Sequence, residues 1–457
     1  MADFENYMSP GRRGHLVGIG GVSMSSLAEV LFDIGLNISG SDTIESKNVD
    51  NLISLGIPVS IGHDASNITD DVEFVIRTAA CHDDNPEIAA AHEKGIPVFE
   101  RTQAWGAISK DYNNALCIAG THGKTTTTSM CTHILMAAEK DPTVMIGGTL
   151  PLLNAGHRIG HGNTIIMESC EYYNSFLSFF PTIAVILNIE ADHLDFFKDL
   201  EELKRSFRIF ASKVPESGGY IVANADDPNT MSAIEGLKRK VITFGMSDSA
   251  DVYAKNIRYS GVNTVFDVYY KNKLFTDVTL HVPGEHNVKN ALAATAASIC
   301  LGIRPNAVKY GLAGFNGAGR RFEFKGKYNG ADVYDDYAHH PGELKALLDA
   351  VEPLGYRRTI LVFQPHTYSR TAALFEDFVE QLKRPDLVLL AEIYAAREQN
   401  TIGISSASLA ERVEGATFFE DFDSIENMLH SIARPGDIIL TVGAGNVYRI
   451  GESLLNL

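Results

Sequence analysis

The sequence predicts an α/β protein with three domains, and three features of the chain indicate this fold class. The first is its length, because 457 residues exceed what a single hydrophobic core usually holds. The second is a local design that occurs at 15–35, 115–138 and 438–455: an apolar strand, a glycine turn and then a helical pattern. The third is the alternation of strand and helix patterns between these stretches.

Strand candidates occur along the whole chain, so each section can form its own sheet. The first section is predicted to have strands at 72–78 and 96–100. The middle section is predicted to have strands at 164–169, 182–190, 219–227, 241–245 and, alternating, across 250–282, with helices at 199–213 and 285–301. The last section is predicted to have strands within 331–340, 358–365, 387–393 and 437–445.

Polar and glycine-rich stretches divide these sections. The polar stretch 108–115 is interpreted as a linker, and the glycine-rich stretch 311–324 is interpreted as a hinge. We therefore predict domains at 1–110, 111–319 and 320–457.

Composition favours a soluble protein of the cytoplasm. The N-terminus lacks the pattern of a signal peptide, and no apolar run is long enough to span a membrane. The five cysteines are scattered without a Cys-x-x-Cys pair, which is typical of reduced thiols. With 57 acidic and 39 basic side chains the net charge is −18, so no nucleic-acid or membrane partner is expected. An anionic substrate would need a few well-placed cations.

The stretch "CIAGTHGKTTTTSM" at 117–130 resembles a phosphate-binding loop, although Ile118 stands where the common pattern has glycine. A strand, two glycines, Lys124 and a helix start place backbone N–H groups and a positive helix end around an anion. The Thr125 hydroxyl is a hard ligand of the kind that Mg²⁺ prefers. We expect the four threonines at 125–128 to present their hydroxyls to phosphate.

Carboxylates follow two apolar strands of the same section. Glu168 ends "TIIMES", and "NIEADHLD" at 188–195 follows "AVIL". Because ligands gather at the carboxyl ends of parallel strands, we expect these groups to lie beside the loop. His193 is the imidazole that would complete a metal site there.

The N-terminal "GIGGVS" at 18–23 is close to the dinucleotide pattern, but Ser23 replaces its last glycine. Asp42 lies near the distance expected of a ribose-binding carboxylate. An NAD site and a site for another diphosphate both fit, since a helix N-terminus accepts either pyrophosphate.

Two polar clusters follow strands in the last section, "YDDYAHHPGE" at 334–343 and "QPHTYSRT" at 364–371. Arg370 is suited to hold a carboxylate with two hydrogen bonds. Adjacent histidines rarely face one site, so His339–His340 indicates a substrate-positioning turn and not a metal pair. The two arginines of "GRRFEF" follow the glycine-rich hinge and are expected to swing into an interdomain cleft.

These motifs, together with "GEHNVKNALAA" and "GAGNVY", resemble the Mur ligases, the ATP-dependent amide-forming ligases of peptidoglycan precursor synthesis. The resemblance runs from about residue 15 to the end. It implies a Rossmann-like domain for the UDP-sugar, a central ATP-binding domain with a shortened phosphate loop, and a Rossmann-like domain for the amino acid. It also implies MgATP, UDP-N-acetylmuramate and L-alanine as ligands, with the muramate carboxylate activated as an acyl phosphate. A monomer or homodimer is expected.

The resemblance also implies a role for each candidate residue. Lys124, Glu168, His193 and Arg370 are the candidates for catalysis, and Thr125, Glu168 and His193 are the candidates for the metal. The ATP set is Gly120, Thr121, His122, Gly123, Lys124, Thr125, Thr126, Asn287, Asn290, Arg321 and Asp336. The substrate set is Gly20, Gly21, Ser41 and Asp42 for the UDP-sugar, and Tyr337, His339 and Arg370 for alanine.

Three other functions stay open at this point. A ligase that adds a preformed peptide would share the domain plan and the loop. An NAD oxidoreductase would explain residues 15–42 but not Lys124, and a nucleotide-switch or scaffold protein would not need the two polar clusters.

Overall fold

The computed structural model describes residues 3–78, 81–194, 196–396 and 398–457. The architecture is α/β, with mostly parallel strands and helices between them. The chain divides into two compact units, the first comprising 1–190, 201–244 and 293–311 and the second 191–200, 245–292 and 312–457. None of the helices in the described ranges combines the length and the apolar character needed to cross a bilayer.

The first unit contains a five-stranded parallel sheet in the order β3-β2-β1-β4-β5. Its elements are β1 Arg13–Val17, α1 Val22–Asp33, β2 Asn37–Asp42, α2 Lys47–Ser54, β3 Val59–Ile61, β4 Phe74–Arg77, α3 Pro86–Glu93, β5 Val98–Glu100 and α4 Arg101–Lys110. The strand order reverses beside β1, which is the position where open α/β sheets bind ligands. The turn after β1 therefore lies at a site suited to a diphosphate.

The first unit also contains strands in the order β12-β11-β10-β6-β9-β7-β8, parallel except for β7 with β8. Its elements are β6 Asn114–Ala119, α5 Lys124–Ala137, β7 Thr143–Leu150, β8 Ala155–Arg158, β9 Thr164–Glu168, β10 Ile183–Ile186, α6 Leu200–Ser212, β11 Tyr220–Asn224, α7 Pro228–Ile234 and β12 Lys240–Gly245. Residues 115–119 of β6 are fully buried between β10 and β9, as expected of a central parallel strand.

The second unit contains three antiparallel strands, β13 Val252–Ser260, β14 Asn263–Tyr270 and β15 Lys273–Leu280. The chain continues through α8 Glu285–Cys300 and α9 Pro305–Ala313. It then forms β16 Glu323–Tyr328, β17 Ala331–Asp336, α10 Pro341–Val351, β18 Arg358–Phe363, α11 Tyr368–Ala373, α12 Phe375–Leu382, β19 Leu387–Leu390, α13 Ser406–Ala410, β20 Ala416–Phe418, α14 Phe422–Ile432, β21 Asp437–Val442 and α15 Tyr448–Leu455.

The last six strands form a sheet in the order β16-β17-β21-β18-β19-β20, in which only β16 is antiparallel. Apolar clusters cover both of its faces. The carboxyl ends of β17, β18 and β21 lie at one edge, and the two polar clusters of the sequence follow the first two of these strands.

The three predicted strand–turn–helix openings are confirmed as β1–α1, β6–α5 and β21–α15. Along the chain, β1 and β6 are the first strands of their sheets, and β21 is the last strand of its sheet. The predicted linker at 108–115 is wrong, because α4 continues to Lys110 and β6 starts at Asn114. A capping box at Glu100 starts α4, and the buried Ala107 and Ile108 hold its last turn against the core despite the polar residues that follow.

Candidate active site

The loop after β6 is shaped by two glycines. Gly120 has φ of 147°, and a Cβ there would lie 2.8 Å from the Leu187 Cβ. Gly123 has φ of 85° and precedes the first residue of α5. Both positions therefore need glycine. The loop ends at a 14-residue helix whose first N–H groups have no partner within the helix, which is a favourable anion site.

Asn188, which follows β10, holds this loop from the side. Its backbone carbonyl accepts the Thr121 N–H at 3.0 Å, and its side-chain oxygen accepts the His122 N–H at 2.8 Å. Its amide N–H₂ donates to the His122 carbonyl at 3.1 Å. Asn188 was not among the residues predicted from the sequence, although its place after a parallel strand could have indicated it.

Lys124 is bound by its own loop and by an acid. Its Nζ donates to the carbonyls of Gly120 at 2.5 Å and Thr121 at 3.1 Å, and to the Glu171 carboxylate at 3.0 Å. Burial alone would lower the pKa of Lys124, but the adjacent Glu171 outweighs burial and raises that pKa above its usual range. The ammonium therefore stays charged, and Glu171, itself 1% exposed, is a site residue that the sequence analysis did not assign.

Thr125 and Glu168, two of the predicted metal ligands, lie together. The Thr125 hydroxyl donates to Glu168 Oε1 at 2.9 Å, and the Gly147 N–H donates to Oε2 at 2.8 Å. A Cβ on Gly147 would lie 2.7 Å from Glu168 Oε1, so glycine is needed for this approach. A hydroxyl and a carboxylate this close are a fitting pair of hard ligands for Mg²⁺. His193 belongs to the second unit, and its place in the metal site stays a prediction.

The remaining threonines of α5 differ from one another. Thr126 is 8% exposed, whereas Thr127 and Thr128 are fully buried. The hydroxyl oxygens of Thr127 and Thr128 have no hydrogen-bond partner among the described residues. The expectation that all four hydroxyls face a phosphate is therefore wrong for these two, because the helix turns them into the core.

The glycine turn after β1 is fixed by Asp42. The Asp42 Oδ2 accepts the Gly20 N–H at 2.8 Å, and its Oδ1 accepts the Thr43 N–H at 2.8 Å. A Cβ on Gly20 would lie 2.9 Å from Asp42 Oδ2. Gly21 is the N-cap residue of α1, so the turn leads directly to a helix N-terminus.

Ser41 lies beneath this turn and is fully buried. Its hydroxyl donates to Glu87 at 2.6 Å, and Glu87 also accepts from His63 at 2.9 Å and Asn67 at 2.6 Å. Burial alone would raise the pKa of Glu87, but the adjacent His15 and hydrogen bonds from Ser41 and Asn67 lower it to about 2. In this structure Ser41 supports the sheet through a buried carboxylate, and its predicted contact with substrate stays a prediction.

In the second unit, Asp336 ends β17 and accepts the N–H groups of Phe322 at 2.7 Å and Ala338 at 2.8 Å. Burial raises the pKa of Asp336 to about 6, although Arg321 acts in the opposite direction. The Arg321 guanidinium lies 5.2 Å from the centre of the Tyr337 ring, so three of the predicted residues are neighbours.

Arg320 differs from Arg321 in its contacts. Its guanidinium donates to Asp335 at 2.8 Å and to the carbonyls of Gly443 at 2.6 Å and Gly445 at 3.1 Å. It also lies over the rings of Tyr337 and Tyr448. Arg320 is not placed to swing from the hinge, as was expected of both arginines, because its donors tie β17 to the turn after β21.

Arg370 holds an internal carboxylate in this structure. Its Nε and Nη2 donate to Asp192 Oδ1 at 3.2 and 3.0 Å, and its Nη1 lies 3.2 Å from His366 Nδ1. Burial alone would raise the pKa of Asp192, but Arg370 lowers it well below the usual range. A cavity of about 160 Å³ adjoins this pair; it is lined by Ala191, Asp192, His193, Leu194, Thr367, Ser369, Arg370, Ala373 and Leu374.

His339 and His340 have separate roles. The His340 Nδ1 accepts the Gly342 N–H at 3.1 Å and caps α10. The His339 Nδ1 lies 3.0 Å from the Tyr337 carbonyl and 3.2 Å from Glu343, and its ring lies 5.7 Å from the His366 ring. Burial lowers the pKa of His339 to about 4. Asp192, Glu343 and His366 were not among the residues predicted from the sequence. Glu343 lies four positions from His339 and His366 four from Arg370, whereas Asp192 comes from a distant part of the chain.

Asn287 and Asn290 lie together in the first turns of α8. The Asn290 amide is 3.4 Å from Asn287 Oδ1, and the Asn287 amide donates to the Pro283 carbonyl at 2.7 Å. Both side chains are largely buried.

Comparison with known proteins defines the class. Three domain families match the chain in order: "Mur ligase family, catalytic domain" over 13–113, "Mur ligase middle domain" over 118–298 and "Mur ligase, glutamate ligase domain" over 320–445. With the full-length relatives described next, these matches show that the chain belongs to the Mur ligase family of ATP-dependent ligases.

The relatives specify one member of that class. A UDP-N-acetylmuramate–L-alanine ligase of Agathobacter rectalis is 47% identical over 446 residues, which is 96% of this chain and 97% of the relative. The enzyme of the same name from Clostridium novyi is 44% identical over 449 residues, 97% of each chain. The structure of the UDP-N-acetylmuramate–alanine ligase of Thermotoga maritima has a TM-score of 0.81 at 28% identity and covers 97% of this chain and 98% of its own.

Proposed function

We infer that this protein joins L-alanine to the carboxylate of UDP-N-acetylmuramate, giving UDP-N-acetylmuramoyl-L-alanine, ADP and phosphate for peptidoglycan precursor synthesis. The observation that carries this inference is identity of 44–47%, over nearly the whole chain, to ligases of that name. The internal geometry agrees with it, since the phosphate loop supplies nucleotide chemistry and Arg370 supplies a carboxylate-binding cation.

ATP is needed because a carboxylate is a poor electrophile toward an amine. Transfer of the γ-phosphoryl group to the muramate carboxylate gives an acyl phosphate, which the amine of alanine then attacks. We propose that residues 120–126 hold the triphosphate and that Lys124 spreads the charge that develops during this transfer. The raised pKa of Lys124 keeps its ammonium charged at neutral pH, as this role requires.

We propose Thr125, Glu168 and His193 as the residues that hold Mg²⁺. The short contact between Thr125 and Glu168 supports the first two. Bound there, the ion would supply charge neutralisation beside the γ-phosphate. The chain's own contribution is to fix Glu168 through the Gly147 N–H, so that its carboxylate faces the loop.

We assign the remaining ligands to three domains, at 1–110, 111–319 and 320–457. Gly20, Gly21, Ser41 and Asp42 would bind the UDP-sugar at the turn after β1. Asn287 and Asn290 would bind adenine, and Arg321 and Asp336 would reach the nucleotide. Tyr337, His339 and Arg370 would bind alanine. We place the enzyme in the cytoplasm, in keeping with five cysteines that are all free thiols.

Phosphate release by the purified protein tests the inference. With MgATP present, we expect release only when both UDP-N-acetylmuramate and L-alanine are added. Replacing L-alanine by a preformed peptide tests the peptide-adding alternative. Release with the peptide but not with alanine would overturn the assignment of substrate, and no release with either would overturn the reaction.

A further inference from the structure

The amino group of alanine carries an extra proton at neutral pH and cannot attack an acyl phosphate until it loses that proton. A ligase of this kind therefore needs a proton acceptor near the amino-acid carboxylate site. Two histidines of the second unit, His339 and His366, lie beside Arg370, which is the cation we assign to that carboxylate. Their hydrogen bonds show which of them can accept a proton.

The proton on neutral His339 is located by its neighbours. Its Nδ1 lies 3.0 Å from the Tyr337 carbonyl oxygen and 3.2 Å from Glu343 Oε2. A carbonyl and an ionised carboxylate only accept hydrogen bonds, so Nδ1 carries the hydrogen. The lone pair of the neutral ring is therefore on Nε2, to which the described residues offer no hydrogen-bond partner.

His366 has the opposite tautomer. Its Nδ1 lies 3.2 Å from Arg370 Nη1, and a guanidinium only donates, so Nδ1 carries the lone pair and Nε2 the hydrogen. The ring is also stacked on Tyr394. The His366 lone pair is thus occupied in positioning Arg370, whereas the His339 lone pair is available.

We propose that Nε2 of His339 accepts the proton that the amino group of the incoming amino acid must lose, with Glu343 holding the imidazole in the required tautomer. The proposal rests on the proposed function. It makes His339 a catalytic residue and Glu343 a positioning residue of the amide-forming step.

The ammonium N–H bond breaks, its electron pair stays on nitrogen, and the proton moves to His339 Nε2. The nitrogen pair forms the C–N bond while the carbonyl π pair moves to oxygen. Collapse restores the carbonyl and breaks the C–O bond to phosphate, which leaves with that pair and takes the second nitrogen proton. The imidazolium then returns its proton to water.

The charges around His339 act in both directions. Burial lowers the pKa of His339 to about 4, so its ring is neutral at neutral pH, and the imidazolium that forms gives up its proton readily. Glu343 and Asp192 favour the imidazolium, and Arg370 disfavours it. His366 and Tyr337 complete the groups that face the ring. Glu343 also accepts the backbone N–H groups of His339 and His340, which fixes its carboxylate beside Nδ1.

Hydroxylamine separates proton removal from the rest of the reaction, because it is uncharged at neutral pH and traps acyl phosphates as hydroxamates. The test uses the full-length protein with MgATP and UDP-N-acetylmuramate, and either L-alanine or hydroxylamine. The variant is His339→Asn, whose amide can still donate to the Tyr337 carbonyl but lacks an atom at Nε2. His339→Gln is the second variant, and His430→Asn on α14 is the control.

We expect His339→Asn to lower kcat with alanine about 100-fold and to leave the hydroxylamine rate within about threefold of wild type. The remaining alanine activity should rise with pH more steeply than in wild type, since free amine must then come from solution. Equal loss with both nucleophiles in both His339 variants, or no loss with alanine, would overturn the proposal. If wild type forms no hydroxamate and consumes no ATP, the proposed function itself fails, and the role of His339 fails with it.

Discussion

The phosphate loop of the first unit and the cluster around Arg370 and His339 in the second unit are both built around a cation, but the chain assembles them in different ways. Each contains a cation that we assign to an anionic ligand, and each pairs it with an internal carboxylate: Lys124 with Glu171, and Arg370 with Asp192. The loop is local, since strand, glycines and lysine are consecutive. The cluster takes its charged groups from points that are distant along the chain, including Asp192 and Arg370, 178 positions apart. A local site can be identified from a motif, whereas the partners in a dispersed site become visible only in the folded chain.

Removing the loop lysine should have the largest effect. Lys124→Met should lower kcat about 1,000-fold, because one charge that stabilises the transferring phosphoryl group is lost. It should also lower the melting temperature, since Glu171 loses its cationic partner in a buried position. Turnover and thermal unfolding are the measurements.

The double variant Lys124→Met with Glu171→Gln separates the two effects. We expect it to recover melting temperature but not activity. Recovery of activity in the double variant would contradict the role of Lys124 in phosphoryl transfer.

Replacing the cluster arginine should have the next largest effect. Arg370→Lys should raise KM for L-alanine about 10- to 100-fold, because an ammonium cannot reproduce a two-bond contact with a carboxylate. KM for ATP should change little. Arg412→Lys is a matched control, since Arg412 makes a similar two-bond pair with Glu376 on an exposed surface. An unchanged KM for alanine in Arg370→Lys would contradict the assignment of the amino-acid site.

Acid should destabilise the protein mainly through buried histidines, most of which lie in the second unit. Burial lowers the pKa of His286, His339 and His366 there, and of His133 in the first unit, to about 4 from the usual 6.5. Below pH 6.5 the unfolded chain binds these protons and the folded chain does not, so stability is present above pH 6.5 and falls toward pH 4.

The free energy of unfolding should fall by at most about 1.4 kcal/mol per pH unit for each histidine. Asp336 acts in the opposite direction, because its pKa is raised to about 6 and the folded state holds its proton more tightly. The free energy of unfolding, measured with denaturant between pH 7 and pH 5, gives the sum of the histidine and Asp336 contributions. A free energy of unfolding that does not fall across this range would show that the histidines are not buried in their neutral form.

The smallest expected effect contrasts two threonines of α5. Thr128→Val should raise the free energy of unfolding by about 1 kcal/mol, because its buried hydroxyl has no partner among the described residues. Activity should not change. Thr125→Val, in contrast, removes the hydroxyl that donates to Glu168 and should lower activity. A loss of stability in Thr128→Val would mean that its hydroxyl is satisfied in solution.

The three strand–turn–helix openings were predictable because glycine turns and apolar strands are local signals, and α6 and α8 were predicted to within a residue at each end. The edge strands β16 and β20 were not predicted, since one is largely polar and the other has three residues. The motifs indicated Arg370, His339 and Asp336, but not that Arg370 contacts Asp192 or that Glu343 orients His339. The first contact depends on how distant elements pack, whereas the second joins residues four positions apart and depends on the local turn into α10.

Transfer of an oxygen atom tests the central claim most directly. UDP-N-acetylmuramate labelled with ¹⁸O in its carboxylate is incubated with MgATP, L-alanine and the protein, and the released phosphate is analysed by mass spectrometry. An acyl phosphate route predicts one labelled oxygen in the phosphate. Release of unlabelled phosphate, with the oxygen lost from the carboxylate recovered as labelled water, would contradict it.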